Sequence, residues 1–555
     1  MPAIFLPSSS HRLVLTGYSG GVDSVWSDHR LAGKSEEPRM ETARREEESA
    51  VRTSVHRRIV WISVLMAFGL YLTRVSVGEI VKTDSFLNDP QIVADARTRF
   101  SVEVTGAQAP ERLATWLETQ TQSKMRFPMV LADGLDRQKA QQQLAALEAE
   151  GGVGRIRISK SQIGDVLGAF FFTYALFQVP AGWICDRLGA RRGLASYIFF
   201  WSLLTAATAW VGSLPGLLAA RLGFGVAQAG AYPASNAIVR RWFPLQTRGR
   251  ASGLIAFGGR LGGTVAPFLT MWLILNTGGW RSVMLLYGAI GLAIAAAYYT
   301  IVRDRPSEHP RCNDAERQWI GQLPDDRKPQ LSEVASMVGT YCLSRSLWLN
   351  SLGQFCVNIG WAFLITWLPT YLKEVHRVPE QRGAMMVTLV LASGMLGQLL
   401  GGRATDWSVR RFGLRLGRVL PIAGAYFVAG TAYLICPWID SVWGILACCA
   451  VVSLMTDLGN PSIWAFMQDV GGRNTGSIFG WANMWGNFGA AVSAKLVPLL
   501  MVYGASQGMG QNLVFLTCAA AFFVAGLAAL GMDATRPLQP SPRRTSVSST
   551  APVQS

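Results

Sequence analysis

Charge is scarce in this chain of 555 residues: 15% are Asp, Glu, Lys or Arg, where a soluble globular protein holds about 25%. Half of the residues are hydrophobic, and they gather in long apolar runs, which argues against a soluble multidomain enzyme. Histidine is scarcer still. The five present, His11, His29, His56, His309 and His376, lie outside the apolar runs, so a haem-binding or histidine-relay membrane protein is not indicated. The eight cysteines form no C-x-x-C pair, and the longest polar loop between apolar runs has none, so neither a disulfide framework nor a metal site is expected. No nucleophile–base pair or phosphate loop stands out, and the expectation is a protein that is not an enzyme and carries no cofactor.

What the chain does have is arginine between apolar runs. The net charge is +16, which in a soluble protein would raise the question of nucleic acid. Nucleic-acid binders, however, place their basic residues on polar faces. Here Arg187, Arg191 and Arg192, then Arg240, Arg241, Arg248 and Arg250, then Arg303 and Arg305, occupy alternate loops. Arg403, Arg410, Arg411, Arg415 and Arg418 follow, and Arg536, Arg543 and Arg544 come last. The intervening loops are short and nearly neutral. By the positive-inside rule the arginine-bearing loops and both termini face the cytoplasm. The pattern predicts an all-α membrane protein with twelve transmembrane helices of about 22 residues in two six-helix halves.

Hydropathy places the first six spans near 59–82, 163–186, 193–212, 215–237, 251–275 and 281–302. The second six lie near 347–372, 383–403, 418–437, 441–465, 476–503 and 510–532. Residues 1–57 read as a cytoplasmic tail without a signal-peptide core, and 58–302 as the first half. That half includes an outer loop, 84–160, read as a solvated cap with amphipathic segments at Glu111–Gln120 and Asp136–Glu150. Residues 303–346 form a polar cytoplasmic linker, 347–533 the second half, and 534–555 a tail rich in Ser, Pro and Arg that is expected to be disordered.

An internal repeat supports the two halves. Gly182-Trp-Ile-Cys-Asp186-Arg187-Leu-Gly189 follows the second span, and Gly402-Arg-Ala-Thr-Asp406-Trp-Ser-Val-Arg410-Arg411-Phe-Gly413 follows the eighth. An aspartate at a helix end can pair with arginines and with a neighbouring helix N-terminus, and so latch the halves. Asp186, Arg187, Asp406 and Arg411 are therefore gating candidates. The repeated loop resembles the signature of the major facilitator superfamily, from about residue 57 to 533. Within it the chain is similar to the anion:cation symporter branch, which holds hexuronate, galactonate, glucarate and phthalate transporters and sialin-like carriers. The stretches carrying that likeness are Tyr71-Leu-Thr-Arg74, Arg221-Leu-Gly-Phe-Gly-Val-Ala-Gln228-Ala-Gly-Ala-Tyr-Pro233, Arg303-Asp-Arg-Pro306-Ser-Glu308-His309-Pro310 and Trp367-Leu-Pro369-Thr-Tyr371. The resemblance implies a secondary transporter working by alternating access between the halves.

Ionisable groups inside spans are the functional candidates, because burying them costs a few kcal/mol. Arg260 lies ~15 Å along its helix from Arg250, close to the midplane and too deep to snorkel. Such a cation needs a partner: an anionic substrate, an internal ion pair or backbone carbonyls. Arg74 lies ~24 Å along the first helix from Arg58. Depth alone leaves it free to snorkel outwards; by the resemblance it is similar to the family's anion-binding arginine, with Tyr71 on the same face. Arg221, ~10 Å from the outer boundary, reads as a boundary anchor or, by the resemblance, as the fourth-helix arginine that the family uses in gating. Tyr174 and Gln178 in the second span, Asn358, Trp361 and Tyr371 in the seventh, and Asn483 and Asn487 in the eleventh are polar pore candidates, each equally suited to helix packing.

One departure from the branch stands out. Galactonate-type members carry an aspartate just before the first-helix arginine and a glutamate seven residues after the fourth-helix arginine. This chain has Thr73 and Gln228 there, and neither can titrate. The deep carboxylate that remains is Asp457, ~18 Å from Asp469 along the tenth span; it is open to a role as proton carrier, sodium ligand or structural aspartate. The sequence thus predicts a monomeric carrier of a small organic anion in a bacterial inner membrane, coupled to protons or sodium. An organophosphate/phosphate exchanger, a multidrug exporter and a non-transporting anion sensor remain as alternatives.

Overall fold

The computed structural model describes residues 52–81, 83, 86, 89–93, 100–107, 129–150, 152–158, 160–321, 334–506 and 512–538. The terminal tails, 1–51 and 539–555, and the Glu111–Gln120 segment lie outside these. The first half comprises α1 (Val55–Ile80), a loop with β1 (Phe100–Ala107), β2 (Met129–Leu135), α2 (Arg137–Ala149) and β3 (Gly152–Ile158), then α3 (Lys160–Leu188), α4 (Ala190–Thr208), α5 (Leu214–Ala229), α6 (Ala231–Trp242), α7 (Arg248–Thr277) and α8 (Trp280–Ile301). The linker carries α9 (Asp314–Ile320) and α10 (Val334–Leu343). The second half has α11 (Arg345–Ala362), continued through one π-turn into α12 (Leu368–Glu374), then α13 (Glu380–Ile435), α14 (Val442–Gly471), α15 (Thr475–Ser506) and α16 (Asn512–Leu530).

Among the described residues, eight helices are long and apolar enough to cross a membrane. One of these runs Arg382–Trp438, far more than the ~20 residues a single crossing needs. It bends at Gly413, whose φ of 75° lies in the left-handed region, and so accounts for the eighth and ninth spans. Gly189, the corresponding glycine of the first loop, has φ 90°. The two copies of the repeat thus share a backbone turn that a side chain would strain. The expected third, fourth and eleventh spans are present as helices outside that set of eight. The fourth is broken into α5 and α6 at Gly230, where an added Cβ would collide with the Tyr197 ring.

The outer loop departs from the all-α expectation. Its strands form a sheet in the order β2-β1-β3, with β1 antiparallel to both neighbours. Val102 and Val104 of β1 pack against Ala140 and Leu147 of α2, and Asp136 caps α2 by accepting from Lys139 N. The helix expected over Asp136–Glu150 is therefore present, while the alternation of β1 was too short to be read as a strand beside it.

Close helix approach sets the geometry of the first half. Gly258 and Gly262 of α7 place its backbone against α1, so that added Cβ atoms would meet the Val64 and Phe68 carbonyls. Residues Tyr71 and Arg74 on α1 are in this way held in register with Arg260 on α7.

Candidate functional site

At the arginine-rich end the two halves are latched together. Asp186 of α3 accepts hydrogen bonds from Gly476 N, Ser477 N and Ser477 Oγ at the start of α15, each at 2.9 Å. Asp406 of α13 accepts from Gly249 N and Arg250 N at the start of α7, both at 2.9 Å. Of the partners expected for these aspartates, the helix N-terminus of the other half is present. Arg187 and Arg411 are not the partners: Arg187 lies over the Trp183 ring and Arg411 over Phe412, both exposed. Backbone N–H groups at a helix start are fixed donors, whereas an exposed arginine keeps its hydration.

Asp469, which the sequence reading used only to mark a boundary, joins the two halves. It accepts from Arg418 Nε at 2.7 Å within its own half and pairs with Arg248 Nη1 of the other half at 2.5 Å. Gln468 beside it donates to Asn236 Oδ1 at 2.6 Å and Ser252 Oγ at 3.0 Å across the same junction, and its backbone carbonyl accepts from Arg240. The structure is closed at this end.

Farther into the bundle the candidate residues fall into two groups. Arg74 belongs to the first half alone. Its guanidinium carbon lies 4.9 Å from the Tyr71 ring centroid, 5.0 Å from Phe170 and 4.4 Å from Tyr174. Its Nε donates to Gln228 Oε1 at 3.1 Å, and Gln228 Nε2 donates in turn to Thr73 Oγ1 at 3.3 Å and Leu70 O at 3.2 Å. The two positions where the branch carries acids are thus neighbours here, joined by a neutral hydrogen bond. Arg74 Nη2 is buried without a hydrogen-bond partner, and no carboxylate among the described residues pairs with Arg74. Arg221 sits behind it, 3% exposed and stacked between Phe170 and Phe224 at 5.1 and 4.9 Å.

Arg260 spans the two halves. Its Nη2 reaches Asp457 Oδ1 of α14 at 2.6 Å, and its guanidinium lies 4.0 Å from the Trp361 ring centroid of α11. Of the partners the sequence left open, the structure supplies the internal carboxylate, brought together over 197 positions of chain. Gln398 Nε2 of α13 also donates to Asp457 Oδ1, at 3.1 Å. Removing one member of a buried pair of this kind costs about 3–5 kcal/mol.

Two tyrosines connect the groups. Gly259, next to Arg260, leaves room for both the Tyr232 hydroxyl and the Tyr71 ring, which an added Cβ would strike. The Tyr71 and Tyr232 rings lie 6.3 Å apart, and Tyr232 meets Trp464 of the other half at 4.9 Å. Tyr232, Gln398 and Trp464 were missed by the sequence reading, although Tyr232 falls inside the Ala231-Tyr-Pro233 stretch that carries the family likeness. Gln178 is fully buried where α3 meets Gly480 of α15, with neither amide atom hydrogen-bonded. The asparagines stand apart. Asn358 Nδ2 donates to Gln354 O and Asn487 Nδ2 to Asn483 O, each at 2.8 Å on its own helix. Neither these nor Asn483 is joined to either arginine. Tyr371 is drawn to His376 Nε2, at 3.1 Å.

Comparison with known proteins agrees with this architecture. The family model of the Major Facilitator Superfamily matches residues 127–494. The chain is 30% identical over 381 residues to the Probable sulfoacetate transporter SauU of Cupriavidus necator, covering 67% of this chain and 85% of that one. It is 27% identical over 368 residues to the Probable galactarate/D-glucarate transporter GudP of Escherichia coli, covering 61% and 78%. Among solved structures, the proton:xylose symporter XylE superposes with a TM-score of 0.55 at 12% identity, over 85% of this chain and 95% of that one, a likeness of fold alone.

Proposed function

This chain belongs to the major facilitator superfamily and is an integral membrane secondary transporter; on that premise we propose that its cargo is a small organic anion, a sugar acid or a similar short carboxylate or sulfonate. The observation that carries the reading is Arg74. A half-buried guanidinium whose Nη2 is buried and unpartnered, held over three aromatic rings and fixed by Gln228, is a cation waiting for an oxyanion. Tyr71 and Tyr174 would recognise hydroxyl or carboxylate oxygens beside it, and Arg260 would offer a second seat once released from Asp457. The sulfoacetate and galactarate/glucarate named for the relatives both carry two acidic groups, which suits a pair of arginines bridged by Tyr71 and Tyr232. In this reading the protein is a monomer in a bacterial inner membrane with its arginine-rich loops and termini in the cytoplasm. The halves rock about the site while Asp186, Asp406 and Asp469 hold its cytoplasmic end shut.

The test is counterflow in proteoliposomes preloaded with glucarate, galactonate or sulfoacetate, comparing wild type with Arg74→Gln. We expect exchange of at least one labelled anion by wild type and its loss in the variant. Undiminished exchange by folded Arg74→Gln would overturn the assignment of the seat. Competition by inorganic phosphate as strong as by the organic acids would move the reading to a phosphate exchanger.

A further inference from the structure

Asp457 makes more contacts than an ion pair needs, and fewer than a buried carboxylate needs. Oδ1 takes both Arg260 Nη2 and Gln398 Nε2, while Oδ2 is buried with no hydrogen-bond partner. Two more buried oxygens nearby also lack one: Ser453 Oγ, one helical turn before Asp457 on α14, and Gln398 Oε1. All three side chains are at least 99% buried. Ser453 forgoes the bond to the carbonyl four residues back that Thr456 makes at 2.7 Å on the same helix. Its oxygen instead faces Gly394 of α13, as Asp457 Oδ2 does, so that a Cβ at Gly394 would lie 2.9 Å from Ser453 Oγ and inside Oδ2. Buried polar oxygens that are not hydrogen-bonded call for an explanation. Here a carboxylate oxygen and a hydroxyl share the space beside Gly394, and the amide that holds the other carboxylate oxygen leaves its own oxygen without a partner, a set rich in acceptors.

We infer that Asp457 is the seat of the coupling cation, filled when the cargo takes Arg260 away from it. The proposal rests on the transport reading and deepens it. In the structure the charges of Arg260 and Asp457 cancel. A cargo that binds Arg260 with its own anionic group leaves Asp457 as a lone buried carboxylate, a state that is strongly disfavoured. Uptake of one monovalent cation at Oδ2 restores neutrality: Arg260 with the cargo's anionic group, and Asp457 with a proton or a sodium ion. One cation therefore enters for each anionic group seated on Arg260, and both leave when the pair re-forms after the halves have rocked. This gives coupling without the acidic pair that Thr73 and Gln228 replace. Among the described residues, the charged or titratable groups facing Asp457 are Arg260 from α7 and Tyr426 from α13. Its other polar neighbours are Gln398 and Ser453.

The experiment uses Arg260→Gln as a substrate-free mimic of the loaded state. In that variant Asp457 has lost its counter-ion. Its melting temperature should fall by a few degrees as the pH is raised if the cation is a proton. It should rise by a similar shift with sodium chloride, relative to potassium chloride at equal ionic strength, if the cation is sodium. Ser453→Ala added to Arg260→Gln should abolish the sodium response and leave a proton response. The double variant Arg260→Gln/Asp457→Asn should respond to neither. An Arg260→Gln protein that is as insensitive to both as the double variant overturns the proposal. In transport, Asp457→Asn should lose accumulation driven by a proton or sodium gradient; retained accumulation also overturns it. Wild type that exchanges none of the anions, beside an Arg260→Gln protein that responds to cation, would sink the cargo assignment and leave the cation seat standing.

Discussion

Asp186→Asn should open the arginine-rich end. Asp186 is 5% exposed and accepts three hydrogen bonds from Gly476 and Ser477, across the boundary between the halves. Asparagine keeps one acceptor oxygen, but its amide group would face a backbone N–H with another N–H, and the charge at the start of α15 would vanish. Hydrogen bonds to a charged group contribute about 1.5–3 kcal/mol. Because these contacts exist only when this end is closed, the loss of even one of them acts in full on the equilibrium between closed and open forms. At 1.4 kcal/mol per decade the closed form loses about 10- to 150-fold. A population of 99:1 would move to somewhere between roughly 10:1 and 2:3. The assay is a distance distribution between spin labels at positions 192 and 410, exposed residues of the two repeated loops, measured in nanodiscs. Wild type should show one short distance, and the variant a second, longer one of substantial weight. A variant with wild-type melting behaviour and an unchanged distribution would refute the latch.

The other predictions concern packing, the site and the linker. Gly182→Ala should shift the same equilibrium the same way, since the added Cβ would run into the Gly476 carbonyl that abuts α3 in the closed form; an unchanged label distribution would count against it. Gln228→Glu would place a carboxylate where Oε1 now accepts from Arg74 at 3.1 Å. It should raise the KM for the anion about tenfold, with partial recovery at low pH as the new acid is neutralised. Glu316 of α9 caps the start of α1, accepting from Val55 N at 3.2 Å, from His56 N at 2.9 Å, and from the Thr53 hydroxyl, with His56 Nδ1 at 2.6 Å. Burial alone would raise its proton affinity, but these bonds outweigh it and hold the carboxyl below its usual range. The stability it adds, about 1–3 kcal/mol, is therefore present above the unfolded-state carboxylate range and is lost as the pH falls through the folded value. Glu316→Gln should lower the melting temperature at neutral pH and flatten its fall in acid.

Sequence alone was enough to determine the class of this molecule, because the signals that set it are local. Apolar runs of membrane length, arginines on alternate loops and a glycine–aspartate motif repeated at equivalent places are properties of neighbouring residues. They foretold helices where the helices are, the two repeated loops that end in Gly189 and Gly413, and Arg260 as a deep cation. The β1–β3 sheet escaped because two inward valines, Val102 and Val104, make too short a pattern to outweigh the helical signal around it. The site was legible as a set of residues but not as a set of pairings. Depth along a helix marks Arg260 and Asp457 as costly to bury, yet says nothing of the direction either faces. The same holds for Asp469, which looks like a boundary residue until Arg248 and Arg418 converge on it. Only the tertiary structure decided that Arg260 is already neutralised by Asp457 whereas Arg74 pairs with no carboxylate among the described residues. The reason is physical: a charge buried in a bilayer is defined by what lies within a few ångströms of it, and here those neighbours come from helices nearly two hundred residues apart.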